Sequence, residues 1–458
     1  MTAIDHTDAE QGLPVPRRYW ALLATALSIG MAVMDNTIVN VALPAIAEQL
    51  RIAPAQSIWV VNGYLLAVAI ALLPLSSLGE IIGYGRVYRG GLLVFTVASL
   101  LCALSDSLVT LTAARFLQGL GAAGIMSVNV ALVRFIFPAR SLGKGVGINA
   151  MVVAVSTGIG PTAAAGILSV GTWPWLFAIN VPIGCLAMVM AARTLPHTPR
   201  SSHRFDVISA LLNAFGIGLL VIAIDSLAHG VPGWVILVEL VSALLILYWL
   251  VRRQLSRPSP LLPVDLLKIR PFALAVGTSM CAFTGQTMAY ITLPFYLHDG
   301  LGYSAVWTGL LMTPWPLAVI IMAPIAGHLA DRYAAGALCG LGLALQLVGL
   351  ILLATMPDPP MMAAVLASMA LCGFGFGLFH APNNRTLMSS APPHRSGGAA
   401  GMQGTARLIG QTLGASLTAL IFGLFPQQAI PCALLVAAGA AGMAALVSLL
   451  RLRTPASP

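Results

Sequence analysis

Apolar residues come in blocks of about twenty or more along this chain, cut apart by charged or Pro/Gly-rich breaks. Fourteen blocks can be read: 20–43, 57–78, 87–104, 108–132, 145–169, 175–192, 206–225, 234–251, 272–297, 304–329, 336–356, 361–380, 397–425 and 429–450. A helix of about 20 residues crosses the hydrocarbon core of a bilayer. The blocks are continuous, without the two-residue period of a β-barrel, so they predict membrane-spanning helices. An even number of crossings puts both ends of the chain on one side.

Composition strengthens this reading. Hydrophobic residues make up 58% of the 458 and charged residues 8%, with mean hydropathy +0.91. A water-soluble chain of that length needs far more polar surface. The net charge of +9 raises nucleic acid as a partner, but the basic residues are sorted by side. Of 23 Lys and Arg, 20 fall in breaks on the terminal side, Arg140, Arg204 and Arg257 among them. Arg51 alone lies on the other side, and Arg115 and Arg407 lie inside helices. By the positive-inside rule both termini are cytoplasmic, and the basic excess is an orientation signal with no nucleic-acid role. The six cysteines are scattered without a CxxC pair and read as small buried hydrophobes, neither a metal site nor a disulfide framework. The polar start MTAIDHTDAEQGLPVPRR does not read as a cleaved signal peptide, so the first helix serves as the insertion signal.

An internal repeat organises the blocks. SSLGEIIGYGR (76–86) follows the second and GHLADRYAAG (327–336) the tenth. Placing Glu80 on Asp331 gives an offset of 331 − 80 = 251 residues, longer than six spans require. The excess fits an inserted pair of helices, FDVISALLNAFGIGLLVIAID, a HGVPGW turn and a second apolar run. The expected layout is a tail (1–16), a six-helix bundle (17–193), the inserted hairpin (194–257), a second six-helix bundle (258–452) and a tail (453–458).

The charge buried deepest in the first span lies in AVMDNTIVNVALP (32–44). An ionised Asp35 at that depth costs at least ~2.5–3.5 kcal/mol on insertion scales. Arg115 and Gln118, three apart, share a helix face. Counting at 1.5 Å per residue puts Arg115 ~10 Å and Asp35 ~13 Å from the far ends of their spans, so a compensating pair is feasible. Such a pair is either proton-coupling machinery or a static packing device. Asn36 and Asn40 extend the polar stripe, as substrate contacts or as helix-packing hydrogen bonds. The 251-residue offset carries Asp35 to Gln286 and Arg115 to Leu366, so proton chemistry is expected in the first bundle and an adaptable, less charged wall in the second. Arg407, in GTARLIGQTLG, either bonds to carbonyls or lines a cavity. Glu80 with Arg86, and Asp331 with Arg332, are expected to form latches that open and close as the halves rock, with a purely topogenic role as the competing reading. Glu48, Asp225 and Glu239 lie near span ends and read as interfacial acids. His380 reads as a satisfied histidine at a helix end, and whether any of these four joins in coupling is left open.

The motifs together resemble the fourteen-helix drug:proton antiporter-2 branch of the major facilitator superfamily along essentially the full chain. MDNTIVNVALP is similar to its first-helix signature and LTAARFLQGLGAA (111–123) to its fourth-helix Arg motif. GIGP, with Gly158, Gly160 and Pro161, stands where the helix-five antiporter motif belongs, and WLFAINVPIG (175–184) resembles the start of its sixth helix. There are departures: Ser76 and Glu80 replace the usual Gly and Asp of the first loop motif, Gly85 stands where a basic residue is common, and Ser156 and Ala164 replace two glycines. The resemblance implies an all-α major facilitator fold, two six-helix bundles plus a hairpin, with the substrate site between the halves.

It also implies a monomeric exporter in a bacterial inner membrane, exchanging lipophilic, mainly cationic drugs for protons, with no cofactor beyond the proton gradient. Asp35 and Arg115 would couple protons. Asp35, Asn36, Asn40, Gln118, Gln286 and Arg407 would face substrate, among aromatics such as Trp59, Tyr64, Trp175, Phe283, Tyr290, Trp307 and Trp315. The alternative cargo is an endogenous metabolite or lipid-like molecule. A channel or membrane-embedded enzyme is the different-class alternative, but neither a pore-lining repeat nor a clustered catalytic constellation is visible. No GxxxxGK[ST] phosphate loop is present, which excludes direct drive by that type of ATP site.

Overall fold

The computed structural model describes residues 12–138, 141–196, 198, 200–201, 205–228, 231–255, 262–357, 359–392 and 395–453. Most of both expected tails, and Arg140, Arg204 and Arg257, lie outside the described residues. The long helices are α1 (Arg17–Leu50), α2 (Trp59–Ile82), α3 (Tyr84–Ala103), α4 (Leu108–Ile136), α5 (Leu142–Val170), α6 (Asn180–Thr194) and α7 (Val207–Ala228). They continue with α8 (Gly233–Leu255), α9 (Arg270–Phe295), α10 (Pro314–Leu329), α11 (Ala335–Ala354), α12 (Met362–Ser390), α13 (Ser396–Leu424) and α14 (Ala429–Leu449). Short helical turns, Pro54–Ser57, Pro174–Ala178 and Ala305–Leu311, lead into α2, α6 and α10.

Among the described residues, thirteen helices are long and apolar enough to cross a membrane. α9 is outside that set although it has 26 residues, and it carries Thr278, Ser279, Thr284, Gln286, Thr287 and Thr292. It packs against α1, α12, α13 and α14, so most of this polarity meets protein and not lipid. α1 runs past Pro44, the expected end, to Leu50. Proline gives up one backbone hydrogen bond there without stopping the helix. Arg51 then ends it in the left-handed region (φ 52°), its N–H bonding back to the Glu48 carbonyl and that of Ile52 to Ala47. The one arginine on the far side thus sits at the negative end of a helix, where a cation is favourable.

The two halves repeat one packing plan. In the first, α1 packs on α5 and α6, α3 on α4 and α6, and α2 on α4; in the second, α9 packs on α13 and α14, α11 on α12 and α14, and α10 on α12. One close glycine crossing repeats at the 251-residue offset. A Cβ on Gly91 would sit 2.8 Å from Gly124, and one on Gly342 would sit 2.5 Å from the Gly375 carbonyl oxygen. Small residues let the backbones approach this closely, which is how helices associate in lipid.

The halves meet along α1/α9, α2/α13 and α5 with α10 and its lead-in turn. Among the described residues, side-chain hydrogen bonds join them at Asn62–Ser416 and at Thr162–Thr313, each 3.0 Å and each toward the end away from the termini. The α7–α8 hairpin lies against α2 and α13. Asn213 donates to the Ile70 carbonyl at 3.0 Å, and Trp59 Nε1 donates to Asp225 at 2.8 Å.

Candidate functional site

Asp35 is buried in the first half with both carboxylate oxygens hydrogen-bonded. Arg115 Nη1 donates to Oδ2 at 2.5 Å, while Gln118 Nε2 (3.0 Å) and Asn180 Nδ2 (2.7 Å) both donate to Oδ1. Both charged side chains are 0% exposed. Gln118 ties the cluster together, accepting from Arg115 at 2.6 Å and donating to Ser99 at 2.8 Å. Arg115 Nε donates to the Val60 carbonyl at 2.9 Å. Its guanidinium lies 4.3 Å from the centre of the Tyr64 ring and 5.6 Å from that of Phe177. Tyr64 is held in turn by donating its hydroxyl to the Ala32 carbonyl at 2.9 Å. Helices α1, α2, α3, α4 and α6 therefore converge on one ion pair. Arg115 keeps one donor, Nη2, buried without a hydrogen-bond partner.

This arrangement can store a conformational change in a protonation step. The pair is tolerable in the membrane only because each charge has its partner, and removing one partner of such a pair costs about 3–5 kcal/mol. If α1 and α4 separate, the carboxylate loses its cation and a proton becomes the cheapest replacement. In this conformation Asp35 is closed to a cationic cargo, because it is buried and already paired with Arg115.

The sequence reading paired Asp35, Arg115 and Gln118 and missed Asn180 and Ser99. Asn180 lies in the quoted WLFAINVPIG run, the signal that could have found it. Asn36 and Asn40 do not extend the Asp35 cluster. They are one and five residues on, about 100° and 140° around the helix from it, and Oδ1 of each is buried without a hydrogen-bond partner. Gln286 Oε1 is likewise unpartnered. Of the expected aromatic lining, Trp175 and Trp307 are exposed on the outer surface, whereas Trp315 and Tyr290 pack edge-to-face at 5.2 Å inside the second half.

The helix-five motif sits on the seam between halves. Gly158 faces Ile320 and Pro316 of α10, and Gly160 faces Thr37 of α1. The Pro161 carbonyl would be 2.6 Å from a Cβ on Gly309, in the turn before α10. α5 stays helical through Pro161, so the motif acts as a close-packed seam.

The second-half latch differs from expectation. Asp331 pairs with Arg385, one helix away on α12, and not with the adjacent Arg332. Arg86 donates to the Ile82 carbonyl at 3.3 Å, and Ser201 N–H donates to the Glu80 carbonyl at 2.7 Å. The offset carries Arg385 back to Arg134, which with Glu80 lies within electrostatic reach of Tyr84. Neighbouring residues on a chain point different ways, so the partner comes from a packed helix. Of the interfacial acids, Asp225 accepts from Trp59, and Glu239 Oε2 is buried without a hydrogen-bond partner.

Comparison with known proteins agrees with this architecture. Residues 25–415 match the Major Facilitator Superfamily. The chain is 52% identical to the uncharacterized transporter YebQ of Escherichia coli K12, over 97% of this chain and 98% of that one. It is 32% identical to the multidrug resistance protein Stp of Mycobacterium tuberculosis, over 86% and 74% of the two chains. It is 29% identical to the riboflavin transporter RibZ of Clostridioides difficile, over 90% and 89%. A crystal structure of the peptide transporter POT in complex with sulfate superposes with a TM-score of 0.74, covering 98% of each chain at 15% identity, which shows the fold alone.

Proposed function

Because the chain belongs to the Major Facilitator Superfamily, we propose that it is a proton-coupled antiporter exporting small lipophilic compounds by alternating access. The family consists of transporters, so the enzyme alternative falls away. The sorted basic residues orient it with both termini in the cytoplasm of a bacterial cell, and the Thr162–Thr313 and Asn62–Ser416 contacts then close the outer side. The likeness to Stp favours foreign compounds as cargo, and the likeness to RibZ keeps an endogenous metabolite as the second reading.

The carrying observation is the sealed Asp35–Arg115 pair. Opening the pair and protonating Asp35 are one event in this mechanism, because an unpaired carboxylate inside the membrane is the costly state. A proton entering from outside holds the pair open, and its loss to the cytoplasm lets the pair close. The test is reconstitution in liposomes with a pH-sensitive dye inside. Wild type should dissipate an imposed pH gradient when cargo is added, and Asp35→Asn, still folded and inserted, should not. Wild-type proton exchange by Asp35→Asn would make the pair structural.

A further inference from the structure

The second half holds a half-buried cation that, among the described residues, no protein group neutralises. Among the described residues no carboxylate pairs with Arg407, no hydrogen bond reaches it, and its Nε is buried without a partner. It sits halfway between two contact glycines on α13, Gly404 against Leu72 of α2 and Gly410 against Met280 of α9. At about 100° per residue, Arg407 points between α2 and α9, into the space where the two halves face each other. On α12, His380 is placed the same way. It lies halfway between Gly377, against α10, and Asn383, which donates to Ser279 and Ala275 of α9.

The two groups also match in depth. Arg407 is eleven residues in from Ser396 and His380 ten from Ser390, on helices running in opposite directions. Both are thus ~15 Å from the terminal side, near mid-membrane. Each lies within electrostatic range of the other, and Tyr64 of the first half is within range of Arg407. Aromatic rings line the His380 side. Phe283 meets Phe376 edge-on at 5.3 Å, and Phe376 stacks on His380 at 5.9 Å with the planes 22° apart. Asn384 approaches His380 at 3.4 Å.

We propose that Arg407, His380 and the Phe283–Phe376 pair form a binding site for a flat aromatic compound carrying a negative charge, such as an aromatic carboxylate or acidic phenol. A guanidinium pairs with a planar oxyanion through two parallel hydrogen bonds, and it stacks on rings as an ammonium cannot. The charge balance points the same way. Asp35, the carboxylate buried in the first half, is already neutralised by Arg115. The remaining positive charge is unfavourable in the membrane until an anion arrives. This replaces the cationic cargo expected from sequence, and it deepens the transporter reading, on which it rests for calling the ligand a cargo.

Equilibrium binding to the purified full chain in lipid nanodiscs tests the site without any proton gradient. Fluorescein serves as the planar anion and ethidium as the planar cation, each read by fluorescence anisotropy. Wild type should bind fluorescein at least about tenfold more tightly than ethidium. Arg407→Gln should lose at least about tenfold for fluorescein, a charged hydrogen bond being the larger part of the contact, and Arg407→Lys should recover part of it. His380→Asn, which leaves the charge in place, should lose several-fold. Equal or tighter ethidium binding by wild type, no saturable fluorescein binding, or unchanged fluorescein affinity in Arg407→Gln would each overturn the proposal. Proton exchange is measured separately, so fluorescein binding without proton movement sinks antiport and leaves this site standing.

Discussion

The two halves share a skeleton and differ in what they bury. At the 251-residue offset, Asp35, Arg115, Gln118, Ser99, Tyr64 and Asn180 become Gln286, Leu366, Met369, Leu350, Trp315 and Pro431. Every member of the first-half cluster except Asp35 and Tyr64 is replaced by a residue with no polar side chain. Trp315 keeps an aromatic ring at the position of Tyr64 but meets Tyr290 edge-to-face in place of a guanidinium. The second half therefore folds around the same helix crossings without an ion pair. The shared helix crossings do not require the pair, which fits the coupling role proposed for it.

The strongest way to break this comparison is to convert one half into the other. Arg115→Leu installs the second half's residue and leaves Asp35 buried without its cation. It should lower stability by about 3–5 kcal/mol, and less at acidic pH, where a proton neutralises the carboxylate. Adding Asp35→Gln should restore most of the loss, because replacing both charges of a buried pair is often neutral or stabilising. The double variant should fold and carry no proton-coupled flux. Thermal unfolding in detergent and liposome flux measure the two effects, and a double variant no more stable than Arg115→Leu would mean the pair holds the first half together.

The skeleton was more legible in sequence than the cluster. Membrane helices announce themselves because each needs about twenty apolar residues in a row. Asp35 and Arg115 stood out because charge within such a run is costly. Asn180 and Ser99 carry no such penalty as single polar residues, and which neighbour they meet is decided by the packing of α3 and α6 on the first half. Asn36 shows the reverse error: next in sequence to Asp35, it faces about 100° away. Arg332 was set beside Asp331 by adjacency, whereas the structure supplies Arg385 from α12.

A second prediction tests the shared skeleton itself. Gly91→Ala and Gly342→Ala each put a methyl against a backbone less than 3 Å away. Overpacking of this kind costs about 1–3 kcal/mol, and the two variants should lose similar amounts in thermal unfolding. A large loss at one site and none at the other would show that the halves are held together differently.

A smaller effect is expected at the latch. The Asp331–Arg385 pair is more than half exposed on both sides, so its contribution to stability is about 0–1 kcal/mol. Its use is in biasing conformations, where a coupling of about 1 kcal/mol changes a rate about fivefold. Asp331→Asn should slow turnover by about that factor and leave cargo affinity within a few-fold. Unchanged turnover with lost binding would assign Asp331 to the cargo site.

The smallest effect comes from an ion pair outside the membrane core, and it isolates what burial does to the same chemistry. Arg253 at the end of α8 meets Asp206, just before α7, at 3.0 Å, with Arg253 Nε and Gln254 both donating to Ser209. Burial alone pushes the Asp206 carboxyl up, but hydrogen bonds from Arg253 and Ser209 outweigh it and hold the group below its ordinary value. A carboxyl depressed by folding stabilises the fold above its unfolded value of about 3.9, and that stabilisation disappears as pH falls through the folded value. Asp206→Asn should therefore increase hydrogen exchange at the start of α7 at pH 7, by an amount matching less than about 1 kcal/mol. Variant and wild type should converge once the pH is well below 3.9, where the wild-type carboxylate is protonated as well. Proton-coupled flux should be unchanged, because the hairpin packs on α2 and α13 and, among the described residues, shares no hydrogen bond with Asp35 or Arg115. Loss of flux in Asp206→Asn would make the hairpin part of the mechanism and end the contrast between a working pair in the core and a fastening pair at its edge.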